Sequence, residues 1–209
     1  SLKDAVAKGQ LVKLVLGNAY VKWYRPPEYY TANNWRGTLK GDGGAALINQ
    51  SIHTIDLLLN VMGPVKSVLA KTRTLTHDIE GEDIGVAVLE FENGALGTIE
   101  GSTAIYAGFP ERLEIHGNEG SVVMEAGKIV ACKGKNEINL DIDDNRQYAS
   151  GSSNPMAIGV SLHINQFKEI TDAILDKRQP EVDGEEALKS VRVIEAIYES
   201  SRTGKEVLI

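Results

Sequence analysis

Between Val65 and Leu140 the sequence is written almost wholly in short runs of strand-forming residues joined by tight turns. That pattern commits most of the chain to an antiparallel sheet. Val65 to Thr76 is rich in Val, Leu and Thr; Ile84 to Phe91 alternates; Asn93-Gly94 supplies a hairpin turn; and Ala95 to Glu100 returns. Leu113 to His116 and Ser121 to Glu125 flank a Gly117-Asn118-Glu119-Gly120 turn, and Lys128 to Cys132 and Glu137 to Ile142 extend the meander. Links this short join strands that run in opposite directions, because a parallel pair needs a crossover of about a dozen residues or more.

Other patterns flank the meander. Leu2, Ala5 and Val6 at helical spacing, with Gly9 behind them, read as the end of a helix, and Ser1 is not Met. This reading expects an upstream segment. Strand-like runs follow from Leu11 to Leu16 and from Ala19 to Tyr24, up to Pro26-Pro27. After an aromatic loop, Gly41-Asp42-Gly43-Gly44 leads into a helix from about Ala45 to Met62, stopped by Gly63-Pro64. Its residues Ile48, Ile52, Ile55, Leu59 and Met62 step as one buried stripe. Asp143 to Pro155 reads as a polar loop, helices follow at about Leu162 to Asp176 and Glu185 to Ser201, and Val207 to Ile209 reads as an edge strand. The expected fold is α+β: a large, mostly antiparallel sheet with helices packed on one face. The other face is left to solvent or to a partner, so a homodimer or homotetramer through it is expected.

Composition removes several functions. A net charge of −7 argues against nucleic acid as the main partner, since phosphate binding needs concentrated basic surface. Cys132 is the single cysteine, so neither an internal disulfide nor a cysteine zinc cluster is available, and a cytoplasmic setting fits. No apolar run approaches the ~18 residues needed to cross a bilayer.

The densest candidate for chemistry is the helix after the glycines. At about 100° per residue, Asn49, His53, Asp56 and Asn60 form a polar stripe beside the apolar one. An imidazole beside hydrogen-bonding groups suits general acid–base work; equally, His53 could lie on a solvated face. Tyr24, Arg25, Tyr29, Tyr30, Trp35 and Arg36 form a second candidate surface, because aromatic rings and guanidinium forks recognise sugar faces, carboxylates or phosphates. They could also simply cover the sheet edge. Gly41-x-Gly43-x-x-Ala46 matches a relaxed dinucleotide fingerprint, but Trp35 to Lys40 is no buried strand and no acidic residue ends the next strand. The glycines more plainly allow a tight turn and close backbone approach. His77, His116 and His163 are scattered, and no metal is assigned.

The run W-R-G-T…D-G-G-A-A-L-I-N-Q-S-I-H-T-I-D-L-L, with Y-R-P-P-E-Y-Y before it and H-I-N-Q-F-K-E-I-T-D-A-I…Q-P-E-V-D-G-E-E-A after it, resembles the C-terminal domain of the Gfo/Idh/MocA oxidoreductases. The resemblance runs over essentially the whole chain. It implies that residues 1–209 are a substrate-binding and oligomerisation domain, with the family's N-terminal Rossmann domain for NAD or NADP missing. It places His53 on the family's catalytic histidine and puts Asn49 where many members carry Asp. An amide can orient a hydroxyl but cannot take its proton. Tyr24, Arg25, Trp35, Arg36 and Asp56 are then the substrate-binding candidates, and no cofactor-binding residue is expected on the fragment. The implied activity is NAD(P)-dependent oxidation of a CH–OH group, or its reverse, on a sugar, cyclitol or sugar-nucleotide-like substrate. The alternatives are a non-catalytic oligomerisation and ligand-binding module, or an NAD-dependent glycoside hydrolase of the same family.

Overall fold

The computed structural model describes residues 2–138, 140, 142, 152 and 161–209, with the side chains of 161–163 left aside. The meander forms as its turns dictate. Strands β2 (Val65–Arg73), β3 (Ile84–Phe91) and β4 (Leu96–Ser102) pair antiparallel, as do β5 (Arg112–Gly117), β6 (Gly120–Glu125) and β7 (Lys128–Gly134). Gly94 takes the positive φ of 81° that its hairpin requires. The two runs expected before Pro26 are one strand, β1 (Leu14–Lys22), which lies between the halves, antiparallel to β5 and parallel to β4. The result is an eight-stranded sheet in the order β7-β6-β5-β1-β4-β3-β2-β8. A strand at Glu137 to Ile142 does not form at the described residues: Leu140 N–H turns back to Ile138 O, two residues away, and leaves the ladder. The expected polar loop, except for Ser152, lies outside the described residues.

Six α-helices form among the described residues. Helix α1 is Leu2–Ala7, α2 Pro27–Thr31, α3 Leu39–Asp42, α4 Ile52–Met62, α5 Ser161–Leu175 and α6 Gly184–Thr203. Pro27 starts α2 inside what reads as an aromatic loop, where a missing N–H costs nothing. Asp183 caps α6 by accepting Glu186 N–H at 2.9 Å, and Gly204 closes it in the left-handed region. The edge strand β8 (Val207–Leu208) covers only Ser67 and Val68 of β2. Beyond it the edge N–H groups of Ala70 and Thr72 are satisfied by the hydroxyls of Ser200 and Ser201 from α6. One core therefore joins α4 and α6 to the sheet through Leu58, Met62, Val68, Leu89, Ile99, Ile115, Ile194 and Ile197.

The expected helix from Ala45 to Met62 is not continuous. Ala46–Ser51 is a π-helical turn, in which Ser51 Oγ also bonds the carbonyl of Ala46 five residues back, and α4 begins only at Ile52. The wider turn changes the phase of the buried stripe. Leu47 and Ser51 are buried, whereas Ile48 and Ile52 are only half-buried. Room for this turn comes from the strands beneath it. A Cβ on Gly85 would sit 2.7 Å from the Leu47 side chain, and one on Gly101 would sit 2.6 Å from Ser51 Oγ.

On the opposite face Leu69, Val86, Val88 and Leu96 stand exposed on three adjacent strands, with Leu69 opposite Val88 in register. No helix among the described residues is long and apolar enough to cross a membrane.

Candidate active site

The π-turn is anchored from the segment that leads into β3. The Glu82 carboxylate accepts the N–H of Leu47 at 2.7 Å and of Ala45 at 3.2 Å, and Tyr198 of α6 donates its hydroxyl to the same carboxylate at 3.0 Å. Burial pushes the Glu82 carboxyl above the ordinary range, with these donors pulling it partly back. Burial and the adjacent Glu82 raise the Tyr198 phenol too. Gly44 completes the approach, at φ 153°, where a Cβ would lie 2.3 Å from the Tyr198 hydroxyl. The expected close backbone approach at these glycines is therefore present.

This arrangement also answers the nucleotide question. The segment before the glycines ends in α3, not in a strand, and the first free N–H groups of the following helix already point at a carboxylate. A pyrophosphate there would meet negative charge instead of open donors. These residues do not fit a dinucleotide cradle. A cavity of about 460 Å³ borders Glu82 and Tyr198 together with Leu39, Gly43, Thr74 and Gly81. It lies behind the π-turn, and neither Asn49 nor His53 lines it.

From the π-turn the two candidate surfaces meet through one residue, Gln50. Arg25 is buried to 1% exposure and donates from Nη2 to Gln50 Oε1 at 2.7 Å, and from Nη1 to the carbonyls of Tyr24 at 3.1 Å and Ser152 at 3.2 Å. Gln50 Nε2 donates to Tyr29 Oη at 2.9 Å and to Asn49 Oδ1 at 2.6 Å. Asn49 Nδ2 donates to Asp42 Oδ1 at 2.5 Å, and Asp42 Oδ2 accepts Gly37 N–H at 2.9 Å. The Arg25 guanidinium stacks on Trp23 and Tyr29, at 4.8 and 5.5 Å from the ring centres, and Arg36 lies 4.2 Å from the centre of Tyr29. Burial lowers the Arg25 pKa from its ordinary value, an effect the nearby Tyr29 and Tyr30 oppose.

The remaining candidates are placed as follows. His53 is exposed on α4 and makes no hydrogen bond among the described residues. Asp56, also exposed, accepts from Ser190 Oγ of α6 at 3.2 Å, and Asn60 accepts from Lys3 of α1. Tyr24 packs edge-on against Tyr106, and Trp35 is exposed beside Arg36. Asp42, Gln50 and Glu82 are the site groups that spacing arguments pass over. Only Asp42 carries a local sign, an acid within the glycine run that opens the helix.

Beneath Arg25 lies a second support. Asp83, fully buried, accepts the N–H groups of Leu75, Thr76 and His77, and the His77 ring bridges it to the carbonyl of Arg25. Burial acts to raise the Asp83 pKa, but these donors outweigh it and hold the carboxyl below its ordinary value. A folded-state pKa below the unfolded one contributes stability that is present above the unfolded value of about 3.9 and lost as pH falls through the folded one. Asp83→Asn should therefore cost about 2–3 kcal/mol at neutral pH by turning an amide donor against a buried N–H. Urea titration should show the deficit shrinking below about pH 4; a deficit constant from pH 3 to pH 7 would remove the ionised carboxylate from this account.

Comparison with known proteins bears on the family and the fold. The GFO/IDH/MocA C-terminal domain family matches residues 1–123. The D-apiose dehydrogenase of Rhizobium rhizogenes is 29% identical over 160 residues, which cover 75% of this chain and 46% of that protein. The myo-inositol 2-dehydrogenase of Thermotoga maritima is 32% identical over 84 residues, 38% of this chain and 25% of its own length. The WlbA dehydrogenase of Bordetella pertussis, solved in complex with NADH and UDP-GlcNAcA, superposes with a TM-score of 0.84 and 31% identity over 100% of this chain and 59% of that one. The chain thus spans about half the length of the apiose dehydrogenase it matches. With its mixed eight-stranded sheet, its one covered face and this match over its first 123 residues, the chain belongs to the GFO/IDH/MocA C-terminal domain family.

Proposed function

We propose that this chain is the substrate domain of an NAD(P)-dependent oxidoreductase that interconverts a secondary alcohol and a ketone on a sugar, cyclitol or sugar-nucleotide-like molecule. The observation that carries the reading is the placement of His53. It is an exposed imidazole at the start of α4 that makes no hydrogen bond among the described residues, four positions after an amide whose orientation is held at both ends. His53 takes the hydroxyl proton or returns it. Asn49 orients the hydroxyl, and Trp35 and Arg36 offer a ring face and a fork to the rest of the molecule. Arg25 works from below, through Gln50, and Asp56 serves the contact with α6. The relatives support the substrate class, since they are named for D-apiose and myo-inositol or were solved with a sugar nucleotide. The nicotinamide cofactor, which supplies the hydride chemistry, is held by a part of the protein outside residues 1–209.

The open sheet face, with Leu69, Val86, Val88 and Leu96 exposed, serves as a contact between copies. Incubating the intact enzyme with NAD+ or NADP+ and a panel of aldoses, cyclitols and uronic-acid sugar nucleotides tests the activity. Reduced nicotinamide should accumulate with at least one of them, and a panel that yields none, with the enzyme folded and the cofactor bound, would overturn it. Light scattering should show a dimer or tetramer, which Val88→Lys weakens; a strict monomer at high concentration would end the contact proposal.

A further inference from the structure

The chain of side chains beneath the candidate site has a direction. It begins at a buried cation, Arg25, and ends at a carboxylate, Asp42, with two neutral amides between them. A guanidinium only donates, so Gln50 must turn its carbonyl to Arg25 and its NH2 toward Asn49. An ionised carboxylate only accepts, so Asn49 must turn its NH2 to Asp42 and its carbonyl to Gln50. Both amides are oriented by the charges at the two ends. Each of the two Asn49 groups then has one bond spent, which leaves one N–H and one lone pair to offer a ligand.

We propose that Asp42 and Asn49 form one charge-coupled pair, in which Asp42 is the carboxylate of this site and acts as a positioning residue by orienting Asn49. Position 49 must then be neutral while Asp42 is ionised. A carboxylate at position 49 could still accept from Gln50, but its second oxygen would face Asp42 Oδ1 across the 2.5 Å that now separates donor from acceptor. Two carboxylates at that distance share one proton. Exchanging the two residues restores every bond. An amide at position 42 would accept Gly37 N–H and donate to a carboxylate at position 49, and that carboxylate would accept from Gln50 as well. The use made of Asn49 rests on the proposed substrate reading, whereas the coupling itself does not.

The test measures urea unfolding of the intact protein, without ligand, from pH 4.5 to 8 for wild type, N49D, D42N and the exchanged double variant D42N/N49D. The charged and titratable groups around the pair are Arg25, Arg36 and Tyr29, His53 on α4, Lys40 on α3, Glu80 on Leu39 N–H, and Glu82 with Tyr198. All four proteins share them, so differences read the pair. In N49D the shared proton has a folded-state pKa above the unfolded one, so its contribution is present at the acid end and lost as pH rises. Its unfolding constant relative to wild type should rise about 10-fold or more between pH 5 and pH 7.5. The double variant should recover most of that change and have a flat profile. If N49D does not fold, the double variant still must. An N49D profile parallel to wild type, or a double variant no better than N49D, would overturn the proposal. Absence of dehydrogenase activity would leave these readouts unaffected and would count against the substrate reading alone.

Discussion

Replacing His53 by Ala in the intact enzyme should lower turnover of its alcohol substrate by roughly 10²-fold or more, the range lost with a general acid–base. The same change should barely affect folding. His53 is exposed, lies at the start of a helix whose buried residues are Thr54, Ile55, Leu58, Leu59 and Met62, and makes no hydrogen bond among the described residues. Exposed positions of that kind move stability by about 0.5 kcal/mol or less. Loss of rate with an unchanged unfolding midpoint separates a proton-transfer role from a structural one. The contrast with the supporting residues is sharp, since variants of Glu82 or Asp83 should damage both together. If steady-state kinetics on the true substrate show His53→Ala turning over like wild type, His53 has no part in the mechanism and the proton must travel through another group.

How much of this was legible in the sequence follows from how local each cause is. The hairpins could be read because period-two alternation and an Asn-Gly turn are properties of a few consecutive residues. The parallel pairing of β1 with β4 could not, since about 80 residues separate the partners, as with Asn18 and Thr98. The interruption at Ala46–Ser51 was equally hidden. Its causes are Glu82, which holds the N–H groups of Ala45 and Leu47, and Gly85 and Gly101, which make room for Leu47 and Ser51. All three sit on distant segments of the chain. Within the site, Asn49 and His53 stood out because helical spacing put them on one polar edge. Arg25 was legible as a candidate but not as a buried one, because arginine is so rarely fully buried that sequence reasoning places it at the surface. Asp42 reads as part of a glycine-rich turn, where aspartate is common for reasons of backbone geometry alone.

Arg25→Met should destabilise the protein by about 2–4 kcal/mol, although it exchanges a charge for an apolar side chain of similar length. Two effects oppose each other. Removing a desolvated cation from the interior is favourable, and burial does disfavour the charged form of Arg25. Against that, the guanidinium donates to Gln50 Oε1 and to the carbonyls of Tyr24 and Ser152, and bonds to a charged donor are worth about 1.5–3 kcal/mol each. Methionine satisfies none of these acceptors and gives up the stacking on Trp23 and Tyr29. The unmet acceptors outweigh the relief of desolvation, so the net change is a loss. Arg25→Lys tests the reason. It keeps the charge but lacks the planar fork that reaches three oxygens, so it should recover less than half of the stability lost in Arg25→Met. Full recovery by lysine would mean that charge alone, not the geometry of the fork, holds this corner. A methionine variant as stable as wild type in urea would mean that the acceptors find other donors. In the second case Arg25 would no longer be what fixes Gln50, and the orientation of Asn49 would depend on Asp42 alone.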